Sequence, residues 1–189
     1  MTPDDVFRRV IGALERAGIP YMLTGSFASS YHGAPRATQD IDVVVAPSAD
    51  QLRALIRSLP TAEYYVDEDA AFEAQRNEGQ FNIVDFASGW KVDLIIRKAR
   101  PFSRQEFDRR EVADFHGLHV AIATVEDMLL AKLEWAKLGQ SERQIEDIAR
   151  LLKVRANELD RQYLANWIPQ LGLGAQWEAA CRAAGIPAD

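Results

Sequence analysis

The 189-residue sequence has little cysteine, no long apolar run and no excess of positive charge. Its one cysteine, Cys181, excludes an intramolecular disulfide and is typical of proteins from a reducing compartment. No apolar stretch approaches the roughly 20 residues that a membrane helix needs. The start, MTPDDVFRRV, has neither the basic beginning nor the apolar core of a signal peptide. We therefore expect a cytoplasmic protein with no membrane partner.

The charge balance of the chain is acidic. Twenty-two Lys and Arg residues against 28 Asp and Glu residues give a formal net charge of -6. A protein with this net negative charge repels polyanions over most of its surface, so any contact with nucleic acid would be local. Hydrophobic residues make up 48% of the sequence, which is enough for an ordinary packed core. The length fits one compact domain, or a core with a small appendage.

Helices and strands alternate in the first part of the sequence. Helical periodicity predicts a helix over residues 4–17. The run IPYMLTG predicts a strand, and a short helix follows from Gly25. The segment DIDVVVA predicts a second strand that is too apolar on both faces to be exposed. Pro47 and Ser48 then begin a helix that we expect to extend through Leu59.

The remaining sequence changes from strands to helices. We expect a short helix or loop around DEDAAFEAQRNE, two strands in QFNIVDFASGWKVDLIIRK, and a shorter hairpin in VADFHGLHVAIA. From Thr124 onward the pattern predicts about four helices. The sequence therefore predicts an α+β fold. A small mixed β-sheet core flanked by helices occupies residues 1–122, and a C-terminal helical region occupies residues 123–189.

Two aspartates stand at the start of the second predicted strand. Asp40 and Asp42 are two residues apart, so in a strand both side chains leave the same face. Two carboxylates this close repel each other unless a positive group lies between them. Mg²⁺ suits that position, because it binds hard oxygen ligands such as carboxylates and substrate phosphates. The pair therefore points to a metal site, although acidic residues at strand ends are also common without one.

The pair Gly25-Ser26 lies at the preceding strand–helix junction. A glycine turn that opens a helix exposes backbone N–H groups, which suit a phosphate, and the Ser26 hydroxyl can donate one further hydrogen bond. By itself such a junction is more often a plain turn with a helix cap. With Asp40 and Asp42 about 15 residues later, however, it favours a phosphate site beside the metal site.

These motifs together carry a resemblance to a known family. The apolar strand, Gly25-Ser26, RATQDIDVVV and KVDLII resemble the nucleotidyltransferase superfamily of the polymerase-β type, over residues 4–97. The resemblance implies a Gly-Ser turn that holds a triphosphate and three strand carboxylates that hold two metal ions. The form R-x-T-x-D-I-D, with Arg36 and Thr38, is similar to the AbiEii-like branch. Many members of that branch are toxins of bacterial toxin–antitoxin or phage-defence systems.

The third carboxylate implied by the resemblance is Asp93, in KVDLII. An unpaired carboxylate between Val92 and Leu94, in a run that otherwise reads as buried, would be costly without a function. Asp85, in NIVDFA, is the rival, although it lies nearer the turn and is more easily explained as a strand-end residue. We assign Asp40, Asp42 and Asp93 as metal ligands and catalytic residues, and keep Asp85 as the alternative.

A lysine falls inside the apolar stripe of the helix that begins after Thr124. Lys132 would either extend along the helix to solvent or reach the phosphates. We expect its replacement by methionine to stabilise the protein and to impair catalysis. AbiEii-like proteins resemble the chain in having such a lysine, followed by a helix that carries an arginine and an aspartate. Here these are Arg143 and Asp147, which a plain surface ion pair explains almost as well.

A basic segment follows the Asp93 strand. Residues 97–110 carry six Arg and Lys residues against Glu106 and Asp108, a local charge of +4. A solvated helix face is the commonest explanation for such a run. Because the segment lies just beyond the Asp93 strand, it is also a weak candidate for the surface that an acceptor approaches.

The sequence as a whole predicts a metal-dependent nucleotidyltransferase. It would transfer a nucleoside monophosphate from an NTP to a hydroxyl of RNA, a tRNA end or a protein, using two Mg²⁺ ions or Mn²⁺. The catalytic set is Asp40, Asp42, Asp93 and Lys132, and the nucleotide-binding set is Gly25, Ser26, Arg36, Thr38, Arg143 and Asp147. The resemblance further implies a toxin with an antitoxin partner. The alternatives are a non-catalytic binding module on the same scaffold and an aminoglycoside-type enzyme.

Overall fold

The structure is a computed structural model that describes residues 3–35, 37–139 and 141–188. Within these ranges the chain forms nine helices and seven strands. The strands are β1 (Tyr21–Thr24), β2 (Asp40–Val45), β3 (Tyr64–Val66), β4 (Gln80–Asp85), β5 (Lys91–Ile96), β6 (Glu111–Phe115) and β7 (Leu118–Ile122). The helices are α1 (Pro3–Arg16), α2 (Gly25–Tyr31), α3 (Ala49–Ser58), α4 (Glu68–Asn77), α5 (Pro101–Asp108), α6 (Val125–Gly139), α7 (Glu142–Arg155), α8 (Arg161–Leu171) and α9 (Gly174–Ala184). No described helix is long and apolar enough to cross a membrane.

The seven described strands form one mixed sheet in the order β3-β4-β5-β2-β1-β7-β6. The pairs β2–β5 and β1–β7 are parallel, and the other neighbouring pairs are antiparallel. Strand β2 lies at the centre, between β1 and β5, which explains why its sequence is apolar on both faces. The predicted α+β class, with a small mixed sheet, flanking helices and helices only after the last strand, is confirmed.

The two faces of the central strands differ in character. In β2, Ile41, Val43 and Val45 leave one face and are at most 1% exposed. Their neighbours Asp40 and Asp42 leave the other face and are partly exposed. Alternation along a strand therefore gives this sheet one face that is closed by packing and one that carries carboxylates.

The chain divides into two compact units. One comprises residues 3–27 and 37–123 and contains the whole sheet. The other comprises residues 28–35 and 124–188 and contains helices α6 to α9. This division differs from the expected regions 1–122 and 123–189 because the residues after the start of α2 group with the C-terminal helices.

The helical unit has a buried polar cluster at the start of α6. The Thr124 hydroxyl donates to Asp127 Oδ2 at 2.7 Å and accepts from the Asp127 backbone N–H at 3.3 Å, so Thr124 caps the helix as its sequence indicates. The hydroxyl of Tyr163 on α8 donates to the other oxygen of Asp127 at 2.5 Å. Asp127 is fully buried, and these bonds fix α8 against α6.

Two elements of the structure have weak signals in the sequence. Strand β3 has three residues and pairs with β4, too short a run for alternation to show. Helix α5 lies within the basic segment and begins with Pro101 at its first turn. Its residues Phe102 and Phe107 are buried, and the whole helix belongs to the sheet-containing unit.

Candidate active site

Two of the predicted carboxylates lie side by side on the sheet. Asp42 on β2 and Asp93 on β5 are Cα partners across a parallel strand pair. Partners in register have side chains on the same face, so Asp40, Asp42 and Asp93 share one face of the sheet. Asp93 is only 9% exposed, whereas Asp40 and Asp42 are half-buried. The strand pairing thus brings together three carboxylates from two distant parts of the sequence.

A lysine lies among these carboxylates. Lys91, two residues before Asp93 and the Cα partner of Asp40, also leaves this face. Its Nζ lies 3.0 Å from Asp93 Oδ2 and 3.6 Å from Asp40 Oδ1. The hydrogen bond to Asp93 raises the pKa of Lys91, against the opposing effect of its partial burial. Lys91 was not among the predicted site residues, although its spacing of two from Asp93 places both side chains on one strand face.

Position 25 requires a glycine because its backbone lies close to the side chain of Asp42. The residue has φ +63, a backbone conformation that favours glycine. A Cβ built at position 25 would lie 1.9 Å from Asp42 Oδ2 and 2.6 Å from Asp42 Cγ. The turn after β1 therefore passes directly against the carboxylate, and a side chain there would have to push Asp42 aside.

The remaining residues of the two N-terminal motifs have different surroundings. Ser26 is 2% exposed, and Gly25 beside it is partly exposed. Thr38 Oγ1 accepts a hydrogen bond from the Asp40 backbone N–H at 3.2 Å, so its side chain supports the start of β2. Arg36 lies outside the described residues, and its assignment stays a prediction.

The rival carboxylate, Asp85, lies elsewhere. Asn82 is the Cα partner of Asp93, so Asp85, three residues further along β4, leaves the opposite face of the sheet. It is 1% exposed, and its Oδ2 accepts from the Ser88 backbone N–H at 2.8 Å and from the Ser88 hydroxyl at 2.5 Å. These contacts give Asp85 a role in the β4–β5 turn. The geometry therefore favours Asp93 as the third carboxylate.

In the helical unit, Lys132 forms a buried ion pair. Its Nζ donates to Asp147 Oδ2 at 3.2 Å, and the side chains are 7% and 5% exposed. Arg150 lies 3.6 Å from the other oxygen of Asp147. Arg143 is exposed, and no ion pair between it and Asp147 occurs among the described residues. Lys132 and Asp147 are thus brought together, whereas the surface pair of Arg143 with Asp147 is not formed.

Three arginines of the basic segment, residues 97–110, form cation–π contacts with aromatic residues of the same segment. The guanidinium groups of Arg97 and Arg110 lie 5.4 Å and 4.2 Å from the ring centroid of Phe107. Arg100 lies 5.4 Å from the ring of Phe102. Cation–π contacts of this kind hold three of the six basic residues against helix α5. The predicted acceptor surface is correspondingly less available than the charge count suggests.

The three carboxylates suit a divalent cation, both in their chemistry and in the strand register that places them on one face. Carboxylate oxygens are the ligands that Mg²⁺ prefers, and the pairing of Asp42 with Asp93 holds two of them together. As the side chains stand, however, no three His, Cys, Asp or Glu residues of the described chain converge as a metal site. The ammonium of Lys91 instead lies between Asp40 and Asp93. The strand register thus places carboxylates where they could bind a divalent cation, and the cation that they contact in this structure is the ammonium of Lys91.

Comparisons with solved structures define the class of fold. The chain is similar to the antibiotic-resistance factor ANT(2'')-Ia, with TM-score 0.61 and 14% identity, over 89% of this chain and 92% of that chain. It is similar to an antigenic nucleotidyltransferase-like protein from Paracoccidioides brasiliensis, with TM-score 0.55 and 17% identity, over 93% and 92%. The lincosamide antibiotic adenylyltransferase LnuA matches with TM-score 0.51 and 12% identity, over 82% and 98%.

These likenesses establish the nucleotidyltransferase fold that the motifs predicted. The sequence matches no protein-family model and no curated protein. Identities of 12–17% define the architecture and leave the reaction to be argued from the site. The similarity to the AbiEii-like branch stays a prediction based on the R-x-T-x-D-I-D form.

Proposed function

We propose that the protein is a nucleotidyltransferase that transfers a nucleoside monophosphate from an NTP to a hydroxyl acceptor. The observation that carries the proposal is the register of Asp42 with Asp93, directly beside the Gly25 turn. Neither feature alone is specific to this chemistry. Their combination on a nucleotidyltransferase fold supports the same reaction class that the sequence motifs favour.

The carboxylates are proposed to bind Mg²⁺ with the substrate. Asp42 and Asp93 would hold the ion from neighbouring strands, and Asp40 would complete the set or accept the proton of the acceptor hydroxyl. Magnesium bound there would neutralise charge on the α-phosphate and on the leaving pyrophosphate. The half-buried position of the carboxylates strengthens such interactions relative to bulk water.

The Gly25-Ser26 turn is proposed to contact the triphosphate. The absence of a Cβ at Gly25 lets the backbone approach both Asp42 and an oxygen of a phosphate. Thr38 would act indirectly, because its side chain is hydrogen-bonded to the start of β2. Lys132 and Asp147 remain assigned by resemblance, with the addition that the two form an ion pair with each other.

The acceptor proposed first is an RNA end or a protein hydroxyl. This assignment rests on the AbiEii-like form of Arg36, Thr38, Asp40 and Asp42, and it carries with it a toxin role and an antitoxin partner. The acidic composition limits any contact with RNA to a local surface. Expression of the protein in a bacterial host should then arrest growth, and the Asp42→Asn variant should not.

A small-molecule acceptor is the second candidate. Two of the similar folds concern antibiotics: ANT(2'')-Ia was solved in complex with adenylyl-2''-tobramycin, and LnuA with lincomycin bound. An acidic protein would suit a cationic aminoglycoside. This candidate predicts nucleotide transfer to a polyhydroxylated amine in the absence of any macromolecule.

The test uses the purified protein with each α-labelled NTP and Mg²⁺. Parallel reactions contain total cellular RNA, a protein lysate, or a panel of aminoglycosides and lincosamides. We expect label in one acceptor fraction with the wild-type protein and none with Asp42→Asn. Label in no fraction, with NTP still bound, would support the non-catalytic binding module instead.

A further inference from the structure

The ammonium of Lys91 lies between two of the carboxylates, 3.0 Å from Asp93 Oδ2 and 3.6 Å from Asp40 Oδ1. We propose that Lys91 is an internal counter-ion, which holds Asp40 and Asp93 together in the metal-free protein and is displaced when a divalent cation binds. The inference rests on the proposed function, because it concerns the same carboxylates. It adds a step to metal binding that the strand carboxylates alone do not imply.

The location of the ammonium follows from the backbone. Lys91 is the Cα partner of Asp40 across the β2–β5 pair and precedes Asp93 by two residues on β5. Its side chain therefore leaves the sheet between the two carboxylates, and its Nζ is 3.0 Å from one and 3.6 Å from the other. The contact does not depend on a loop conformation, since both strands are held by the sheet.

The carboxylates need a cation in the absence of metal. The Asp93 side chain is 12% exposed, so water screens its charge poorly. Asp40 and Asp42 add negative charge on the same face. An unpaired carboxylate in such a place would destabilise the fold. Lys91 supplies the positive charge within the chain itself.

The same contact opposes a metal ion. A divalent cation would compete with the Lys91 ammonium, which lies 3.0 Å from Asp93 Oδ2, for that oxygen. The two positive charges would also repel each other if both were bound there. The Lys91 side chain is 38% exposed and has a flexible four-carbon stem, so its head can move to solvent without any change of backbone. Metal binding is therefore an exchange of one cation for another.

The test measures Mn²⁺ binding without nucleotide, by the electron paramagnetic resonance signal of the free ion. The proteins are wild type, Lys91→Met, Lys91→Arg and Lys153→Met. Lys153 is exposed on α7 in the helical unit, and its replacement makes the same change in net charge. We expect Lys91→Met to bind Mn²⁺ on the order of tenfold more tightly than wild type. Lys91→Arg and Lys153→Met should stay near wild type.

Thermal melting supplies a readout that is independent of binding. In EDTA, Lys91→Met should melt below wild type and Lys91→Arg close to it, and saturating Mn²⁺ should close the gap for Lys91→Met. If Lys91→Met does not fold in EDTA, the inference is tested on the wild-type protein by NMR. Its lysine side-chain NMR signals should then show a Mg²⁺-dependent change at Lys91 and none at Lys153.

Failure of the inference and failure of the proposed function look different in these data. Equal Mn²⁺ affinity in wild type and Lys91→Met, or weaker affinity in the variant, would overturn the counter-ion and leave the metal site standing. An unchanged Lys91 signal on saturation with Mg²⁺ would do the same. Absence of Mn²⁺ binding by every protein in this nucleotide-free test would also overturn the inference, whereas the proposed function, in which Mg²⁺ binds with the substrate, fails only if the labelled-NTP reactions show no transfer.

Discussion

Asp42 and Asp93 are Cα partners on adjacent parallel strands, and their carboxylates leave the same face of the sheet. Backbone hydrogen bonds, rather than side-chain contacts, therefore fix their proximity. Variants that remove only the charge should keep the fold and lose the chemistry.

Asp93→Asn and Asp85→Asn should have opposite consequences. Asp93 shares its face with Asp42, so Asp93→Asn should reduce nucleotide transfer by on the order of 10²-fold or more. Asp85 leaves the other face and accepts two hydrogen bonds from Ser88, so Asp85→Asn should lower the melting temperature and keep transfer. Transfer assays and melting curves for both proteins make the comparison. If Asp85→Asn is fully folded at the assay temperature and still loses transfer, Asp85 would again be the better candidate for the third carboxylate.

Gly25→Ala should impair catalysis beyond its effect on stability. The new Cβ would meet Asp42 Oδ2 at 1.9 Å and displace that carboxylate, in addition to the cost of a side chain at φ +63. We expect transfer to fall by on the order of 10²-fold. The backbone cost is roughly 1–2 kcal/mol in the free energy of unfolding.

Gly185→Ala is the matched control for Gly25→Ala. Gly185 ends α9 with φ +74, and nothing lies within 4 Å of a Cβ built there. This variant should show the backbone cost in urea unfolding and transfer nucleotide normally. If both alanine variants transfer equally well, the distance of Gly25 from Asp42 has no role in the reaction.

Lys132→Met should destabilise the protein, in contrast to the gain expected from the apolar stripe alone. The ion pair with Asp147 is buried, and replacement of the lysine removes a positive charge from beside a buried carboxylate. We expect a loss of about 3 kcal/mol in the free energy of unfolding, measured with urea. Lys153→Met, at an exposed position, should lose almost nothing.

The double variant Lys132→Met/Asp147→Leu separates packing from chemistry. With both charges gone, most of the lost stability should return, because a buried ion pair can be replaced by apolar side chains. Transfer that stays low in this restored fold would assign a catalytic role to the charges. Recovery of transfer with stability would make the pair purely structural. Unchanged stability in Lys132→Met itself would contradict the ion pair.

The Cys181 thiol should be unreactive in the folded protein. It is 1% exposed on α9, and burial raises its pKa, so little thiolate is present at pH 8. A disulfide reagent should modify it slowly in buffer and rapidly in denaturing guanidinium. Reaction at the denatured rate in buffer would show that α9 is not packed as described.

The sequence predicts the architecture where its signals are strong. The apolar run of β2, with valines on both faces, predicted the central strand, and the helices after Thr124 follow their periodicity. Strand β3 is missed because three residues cannot show alternation. The charge of the α5 segment indicated a solvated helix face, whereas four residues of this helix, Phe102, Ser103, Glu106 and Phe107, are buried.

The site is predictable in its residues and less so in its contacts. Spacing alone places Asp40 with Asp42, whereas the pairing of β2 with β5, which unites them with Asp93 and Lys91, is a long-range event. The face of Asp85 depends on another long-range pairing, that of β4 with β5. Lys132 is recognisable as buried from its stripe, but its partner comes from another helix.

The central claim is tested most directly by following the α- and γ-phosphates of one NTP in the same reaction. With wild-type protein, Mg²⁺ and the acceptor fraction, label from the α-position should appear in the acceptor and label from the γ-position in pyrophosphate. Asp42→Asn should fold as wild type and lose both products by on the order of 10²-fold or more. Appearance of the γ-label in the acceptor or as inorganic phosphate would contradict nucleotidyl transfer, as would wild-type turnover by Asp42→Asn.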